Sequence, residues 1–176
     1  MPYKFIDLPI SIIHIWGLKM IYKTRIKEIV LCGCGYEGYM IIELCKNLLK
    51  VYYQANDSFI EEYIIRNVDI VSRNSLQYKF FNNDKAIFPL DLWLVYGKCK
   101  KLNTCDREYP ISINECGGKI KGEIVSLINK DEIRVDCGII IDVDNELSID
   151  GLIKGDFIET AGTYQVYFPE TEFSKY

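Results

Sequence analysis

The feature that most constrains the fold is a series of short alternating segments, rich in β-branched and aromatic residues, that recurs along most of the chain. Segments 25–31, 39–45 and 48–54 are separated by a glycine-rich turn and by a Lys-Asn turn. Alternation of apolar and polar side chains is typical of strands with one buried face. The 176 residues include 13 Tyr and 8 Phe but only 5 Pro, which favours sheet over helix. We therefore predict a mainly β protein.

More strands are predicted further along the chain, at 86–97, 119–128, 132–137, 139–143 and 157–168. One short helix is predicted inside 58–67, because Ser58 and Glu61 have the spacing of a capping box and apolar residues follow at helical spacing. No strand is predicted in the polar, Asn-rich segment 73–85.

A polar segment at 100–114 lies between two strand-rich blocks and predicts a domain boundary. The expected organisation is a first barrel-like unit at 20–103 and a second at 115–170. Residues 1–19 lack periodicity and capping residues, so we interpret them as an appendage or as an added edge strand.

The two halves of the chain also resemble each other. Residues 26–30 are echoed by 120–125, and residues 91–97 are echoed by 156–162. Three strands in a meander, then a helix and a fourth strand, resemble the topology of an OB-fold. The prediction is thus two small OB-like barrels in tandem with one short helix.

A glycine-rich motif offers an alternative fold for the first half. Gly33, Gly35 and Gly38 form a G-x-G-x-x-G motif after a predicted strand, and Asp57 follows nineteen residues later. This pattern resembles the dinucleotide-binding fingerprint, which implies an α/β Rossmann-like N-terminal half, a helix in place of the strands at 39–49, and a nucleotide-binding enzyme. The competing interpretation of the motif is a hairpin between two strands.

Charge divides the chain more clearly than any motif. Residues 119–176 carry 12 acidic and 6 basic residues, a net charge of −6, whereas residues 1–118 carry a net charge of +2. An acidic surface can dock on a basic partner protein. We therefore predict a protein-interaction module, with an inhibitor or immunity-type role as one example, that binds through Asp142, Asp144 and Glu146.

A second functional hypothesis rests on lysines interleaved with aromatic residues in the first half. Lysines beside aromatic platforms are typical of grooves that bind single-stranded nucleic acid. The candidate residues for such a site are Lys50, Tyr52, Trp93, Lys98, Lys100 and Lys101.

Histidine and cysteine usage argues against catalysis and against metal binding. His14 is the one histidine, so most general-base and zinc-ligand arrangements have no residue to supply them. The seven cysteines include no C-x-x-C pair, and we expect reduced thiols, no metal, no cofactor and a cytoplasmic, non-enzymatic protein. The apolar stretch 5–18 is shorter than the ~20 residues that span a membrane, so no membrane partner is predicted.

Overall fold

The computed structural model describes residues 14–16, 19–114, 116–146 and 149–168. Within these ranges the chain is mainly β, as predicted, and has one short α-helix. The strands are β1 (His14–Trp16), β2 (Lys19–Leu31), β3 (Glu37–Leu44), β4 (Asn47–Gln54), β5 (Ile70–Asn74), β6 (Gln77–Phe80), β7 (Ile87–Lys101), β8 (Glu108–Asn114), β9 (Gly117–Leu127), β10 (Glu132–Asp136), β11 (Ile140–Asn145) and β12 (Phe157–Tyr167).

Five strands close into a first ring. Strands β2, β3 and β4 form an antiparallel meander. Strand β12 pairs parallel with β4, and β7 pairs antiparallel with both β12 and β2. The ring is therefore closed by β12, which lies more than a hundred positions after β4 in the sequence.

A second ring repeats this arrangement with the roles of two strands exchanged. Strands β9, β10 and β11 form its meander. Strand β7 pairs parallel with β11, and β12 pairs antiparallel with β7 and β9. Strands β7 and β12 consequently belong to both rings.

The echoes in the sequence fall on strands with equivalent places in the two rings. The first pair lies in β2 and β9, which begin the two meanders, and the second pair lies in β7 and at the start of β12. The boundary predicted at 100–114 separates the meanders, but strand pairing crosses it, because β12 completes the first ring and β7 completes the second.

Both rings bury the apolar face that alternation predicts. Every second residue of β3 and of the first part of β9 is buried, as expected for strands with one face inward. Tyr22 on β2 links the rings, since its hydroxyl donates to the carbonyl of Ile140 on β11 and accepts from the Ile140 N–H at 2.9 Å. Burial raises the pKa of Tyr22, so its hydroxyl keeps this proton.

The predicted helix is present as α1 (Asp57–Tyr63), followed by a single 3₁₀ turn at Ile65–Asn67. Its N-cap is Asn56 rather than Ser58, because the Asn56 side-chain oxygen accepts from the Ser58 N–H at 2.8 Å. No helix among the described residues has the length and apolar character needed to cross a membrane.

The Asn56 cap is expected to stabilise the start of α1. Asn56→Ala removes the acceptor for an N–H at the start of the helix, and we expect the free energy of unfolding to fall by about 1 kcal/mol. Urea denaturation measures the change. Asn56→Asp keeps an acceptor and should remain close to the parent, so equal losses in both variants would contradict the capping role.

Two regions in which the sequence predicted no strand contain strands in the structure. Strands β5 and β6 form a hairpin around the Asn-rich segment, and β6 pairs with β2 while burying Tyr78 and Phe80. Strand β8 lies within the predicted boundary and pairs with β9. Of the predicted appendage 1–19, His14–Trp16 pairs with residues 19–21 of β2, and Lys19 is the first residue of that strand. Residues 1–13 and 17–18 lie outside the described residues.

Candidate functional site

A groove crosses the outer face of five neighbouring strands in the order β4, β12, β7, β11 and β10. It consists of two adjoining hollows of about 500 Å³ and about 200 Å³ that share Asp144 and Tyr167. Its aromatic residues are Tyr52, Trp93, Tyr96 and Tyr167, and its acidic residues are Asp91, Glu132 and Asp144. Strands from both rings build this groove.

Strand alternation explains why these side chains share a face. On β7, Asp91 and Trp93 are two residues apart, and on β12, Gln165 and Tyr167 are two residues apart. The register then places Gln165 directly between Trp93 and Tyr52 on the neighbouring strands. The intervening residues are buried apolar side chains, namely Leu92, Leu94, Tyr164 and Val166. One face of the shared strands therefore fills the core while the other lines the groove.

The aromatic residues of the groove differ in their contacts and exposure. The rings of Trp93 and Tyr167 meet edge to face, with centroids 6.1 Å apart. Tyr96 is 67% exposed and has a φ of +56°, a left-handed backbone that is uncommon for a bulky residue. The Trp93 Nε1–H is buried and finds no acceptor among the described residues. A buried donor without a partner lowers stability.

The electrostatic character of the groove is acidic. No lysine or arginine lines it within the described part of the chain. Burial raises the pKa of Asp144, and the nearby charge of Asp131 raises it further. Burial also raises the pKa of Tyr167, which is flanked by the carboxylates of Asp144 and Asp91. The tyrosine hydroxyl thus stays protonated and can donate a hydrogen bond.

The three acidic residues predicted to bind a partner have different environments. Asp142 has a side chain 2% exposed, and it accepts from Arg134 Nε at 2.7 Å and Nη2 at 2.9 Å. Asp144 lines the groove, and Glu146 lies 3.2 Å from the Lys98 ammonium. Of the three, Asp144 lies in the groove, whereas Asp142 and Glu146 contact basic side chains beside it.

The residues predicted to bind nucleic acid are also dispersed. Lys50 lies over the ring of Tyr39, with its ammonium 3.8 Å from the ring centroid. Lys98 is paired with Glu146, and Lys101 is paired with Asp156 at 2.7 Å, whereas Lys100 is exposed. The two aromatic candidates, Tyr52 and Trp93, lie in the acidic groove. Lys50 shares the outer face of β4 with Tyr52, two positions away, whereas Lys98 and Lys101 are held in ion pairs.

The glycine-rich motif forms a hairpin loop between two antiparallel strands. Strand β2 ends at Leu31 and β3 begins at Glu37, so the helix implied at 39–49 by the dinucleotide fingerprint is replaced by β3 and β4. The Rossmann-like alternative is not confirmed. Asp57 does lie beside the loop, since its N–H donates to the carbonyl of Gly35 at 2.9 Å.

The expectation that all thiols are free is wrong for two cysteines of this loop. Cys32 and Cys34 form a disulfide, with Cα atoms 5.4 Å apart. Gly33 between them has a φ of +76°, which lets the chain turn so that both side chains lie on the same side. Among the cysteines outside this loop, burial raises the pKa of the Cys137 thiol to about 12.

No family model, curated protein or solved structure matches this chain. The groove is therefore interpreted from its own chemistry. The sequence did not single out Asp91, Glu132 or Tyr167 as groove residues. The sequence pattern that could have indicated the groove is the alternation along 91–95 and 163–167. In these segments, polar and aromatic residues recur on the face opposite the core.

Proposed function

We propose that this protein is a non-enzymatic interaction module that binds a lysine- or arginine-bearing segment of a partner protein in the groove. The observation that carries the proposal is the lining of the groove, which combines four aromatic side chains with three acidic ones. An inhibitor or immunity-type role is one form of this function.

The chemistry of the groove suits a cationic side chain. Lysine and arginine are attracted to the faces of Trp and Tyr rings, and carboxylates next to those rings complete the charge balance. Buried aromatic residues are also the usual energetic centre of protein interfaces.

We further propose that the two rings are OB-like barrels that share strands β7 and β12. The support is the pairing order, which is the same in both rings. The third meander strand is parallel to one shared strand, as β4 is to β12 and β11 is to β7. The first meander strand is antiparallel to the other shared strand, as β2 is to β7 and β9 is to β12. In the first ring, α1 lies between the third and fourth strands in sequence. The OB-fold commonly binds extended polymers across its strands.

A single-stranded nucleic acid is the less favoured ligand, although Trp93 and Tyr167 could stack on bases. Phosphates placed along this groove would face Asp91, Glu132 and Asp144. Like charges at short range oppose binding. Tighter binding of nucleic acid than of a cationic peptide would contradict this preference.

Reversing the groove charge tests the proposal. We expect the double variant Glu132→Lys/Asp144→Lys to weaken binding of a fluorescent oligolysine peptide at least tenfold, about 1.4 kcal/mol, because both carboxylates that face the cation change sign. Binding to the parent should also weaken with rising salt, since exposed charges are screened over about 8 Å at physiological ionic strength. Fluorescence anisotropy measures both effects.

The matched control is Glu61→Lys/Glu62→Lys, which makes the same change of net charge on the exposed face of α1, outside the groove. It should bind the peptide within about twofold of the parent. If the two double variants weaken binding equally, the groove is not the binding site. If the parent binds an oligothymidine strand more tightly than the peptide, the nucleic-acid hypothesis replaces this proposal.

A further inference from the structure

The hairpin loop between β2 and β3 carries a second group of chemically reactive side chains. The Sγ atoms of Cys32 and Cys34 and a carboxylate oxygen of Glu37 all lie within 4.8 Å of one another. Both cysteines are exposed, so reductants and ions in solution can approach them. Thiolate and carboxylate are both ligands that zinc takes in proteins.

We propose that reduction of the Cys32–Cys34 disulfide creates a site for a thiophilic divalent cation such as Zn²⁺, bound by Cys32, Cys34 and Glu37. None of the three proposed ligands lines the groove, although the groove residue Tyr52 contacts one of them. It takes the disulfide form in oxidising surroundings and the metal-binding form in reducing ones.

The backbone around the loop is anchored on both sides, so its shape does not depend on the disulfide. The Cys32 N–H donates to the Glu37 carbonyl at 3.1 Å. On the other side, the N–H groups of Ala55 and Asp57 donate to the carbonyls of Tyr36 and Gly35 at 3.1 Å and 2.9 Å. Reduction therefore frees the sulfur atoms while the strand ends keep the three ligands close.

Two further hydrogen bonds favour metal binding by the loop, one to a cysteine sulfur and one to the carboxylate. The Cys34 N–H donates to Cys32 Sγ at 3.1 Å, and such a donor stabilises the negative charge of a thiolate. The Tyr52 hydroxyl donates to Glu37 Oε2, which leaves Oε1 for the metal. A hydrogen bond from an outer residue that orients a ligand is a general feature of metal sites.

The metal-binding form arises from the disulfide in two steps. First, two equivalents of a small thiol reduce the disulfide, which gives two protein thiols and one small-molecule disulfide. Next, the cation displaces one proton from each thiol and binds the carboxylate, releasing two protons. Zn–S bonds of about 2.3 Å require the sulfurs to separate to roughly 3.8 Å in tetrahedral geometry, a shift that side-chain rotation supplies. Water fills the fourth position.

The test uses the full chain with Cys105→Ser, because Cys105 is the exposed cysteine outside the loop. Protein reduced with a phosphine, and then freed of it, is titrated with Zn²⁺ against a chromophoric chelator. We expect one equivalent to bind the reduced protein and none to bind the oxidised protein. Glu37→Gln should weaken binding at least tenfold, and Cys34→Ser should abolish the stoichiometric site.

Cys116→Ser is the matched control and should bind zinc as the parent does, with circular dichroism showing that each variant is folded. The proposal is overturned if reduced and oxidised proteins bind zinc equally, or if Cys34→Ser binds as tightly as the parent. Binding that is unaffected by Glu37→Gln removes the carboxylate from the site and overturns the three-ligand assignment. Alkylation of the loop cysteines without reductant would show that the disulfide itself does not form.

Discussion

Replacing Arg134 with methionine is expected to lower the free energy of unfolding by about 3 kcal/mol. Arg134 makes two hydrogen bonds to Asp142, whose side chain is 2% exposed. Removing the guanidinium leaves a carboxylate inside the protein without its cationic partner, and breaking a buried pair in this way is strongly destabilising. Urea denaturation with constant m-value measures the loss.

Two further variants distinguish the lost pair from lost packing. Arg134→Met/Asp142→Leu removes this pair and should recover part of the loss, because an apolar pair of similar size avoids its desolvation cost. Recovery should be incomplete, since the charge of the buried Asp91 also acts on Arg134. Lys130→Met removes a lysine that is 87% exposed and 3.7 Å from Asp131, and it should change stability by less than about 0.5 kcal/mol. If Arg134→Met lowers the free energy of unfolding no more than Lys130→Met does, the Arg134–Asp142 pair does not stabilise the fold.

The role of Asp142 also changes how the acidic surface is tested. Reversing Asp142, Asp144 and Glu146 together would place a lysine beside Arg134 and destabilise the fold. Loss of binding in that triple variant would then report unfolding instead of a lost contact. Glu132 and Asp144 are the appropriate pair, because both line the groove and face each other across β10 and β11.

The second large effect is expected at Gly118, where Gly118→Val should lower the free energy of unfolding by about 3 kcal/mol. A Cβ atom at this position would lie 1.9 Å from Cε2 of Tyr164. The Tyr164 ring is fully buried, and its hydroxyl lies 3.1 Å from the carbonyls of Ile111 and Lys119. The ring cannot move aside without losing these contacts, and overpacked cores are destabilised in this way.

Thermal and urea denaturation of Gly118→Val measure this effect, and a compensating change tests its cause. Gly118→Ala/Tyr164→Leu makes room for the added Cβ, so it should be more stable than the sum of the two single changes predicts. Lys119→Val, at the next position and on the other face of β9, should change stability by about 0.5 kcal/mol or less. Strict additivity in the double variant would show that the glycine and the tyrosine do not interact.

The sequence predicts the local elements of this protein well. Strands and the helix were predictable because alternation and capping depend on neighbouring residues, and the segments around β3, β4 and β10 match their predicted bounds within a few residues. The hairpin β5–β6 was missed because its strands are short and polar, and it is stabilised by pairing with β2.

Long-range features were not predictable in the same way. The parallel contact of β12 with β4 joins segments far apart in sequence, and no local pattern specifies it. Asp142 has the sequence signature of a surface carboxylate, yet cross-strand pairing with Arg134 buries it. The groove likewise depends on which strands become neighbours, so its acidic and aromatic residues are recognisable only after the rings are assembled.

The sharing of β7 and β12 also has a consequence for how the chain is synthesised. The meander β2–β4 is complete by Gln54, but the parallel strand that closes its ring begins at Phe157. At typical synthesis rates of about 5 to 20 residues per second, the nascent first half waits at least roughly 5 seconds with an unpaired β4 edge. Such an edge invites pairing with other chains. The first ring can therefore close only after β12 has been synthesised. A chain shortened by an early stop codon would be an open, aggregation-prone sheet instead of a smaller folded domain.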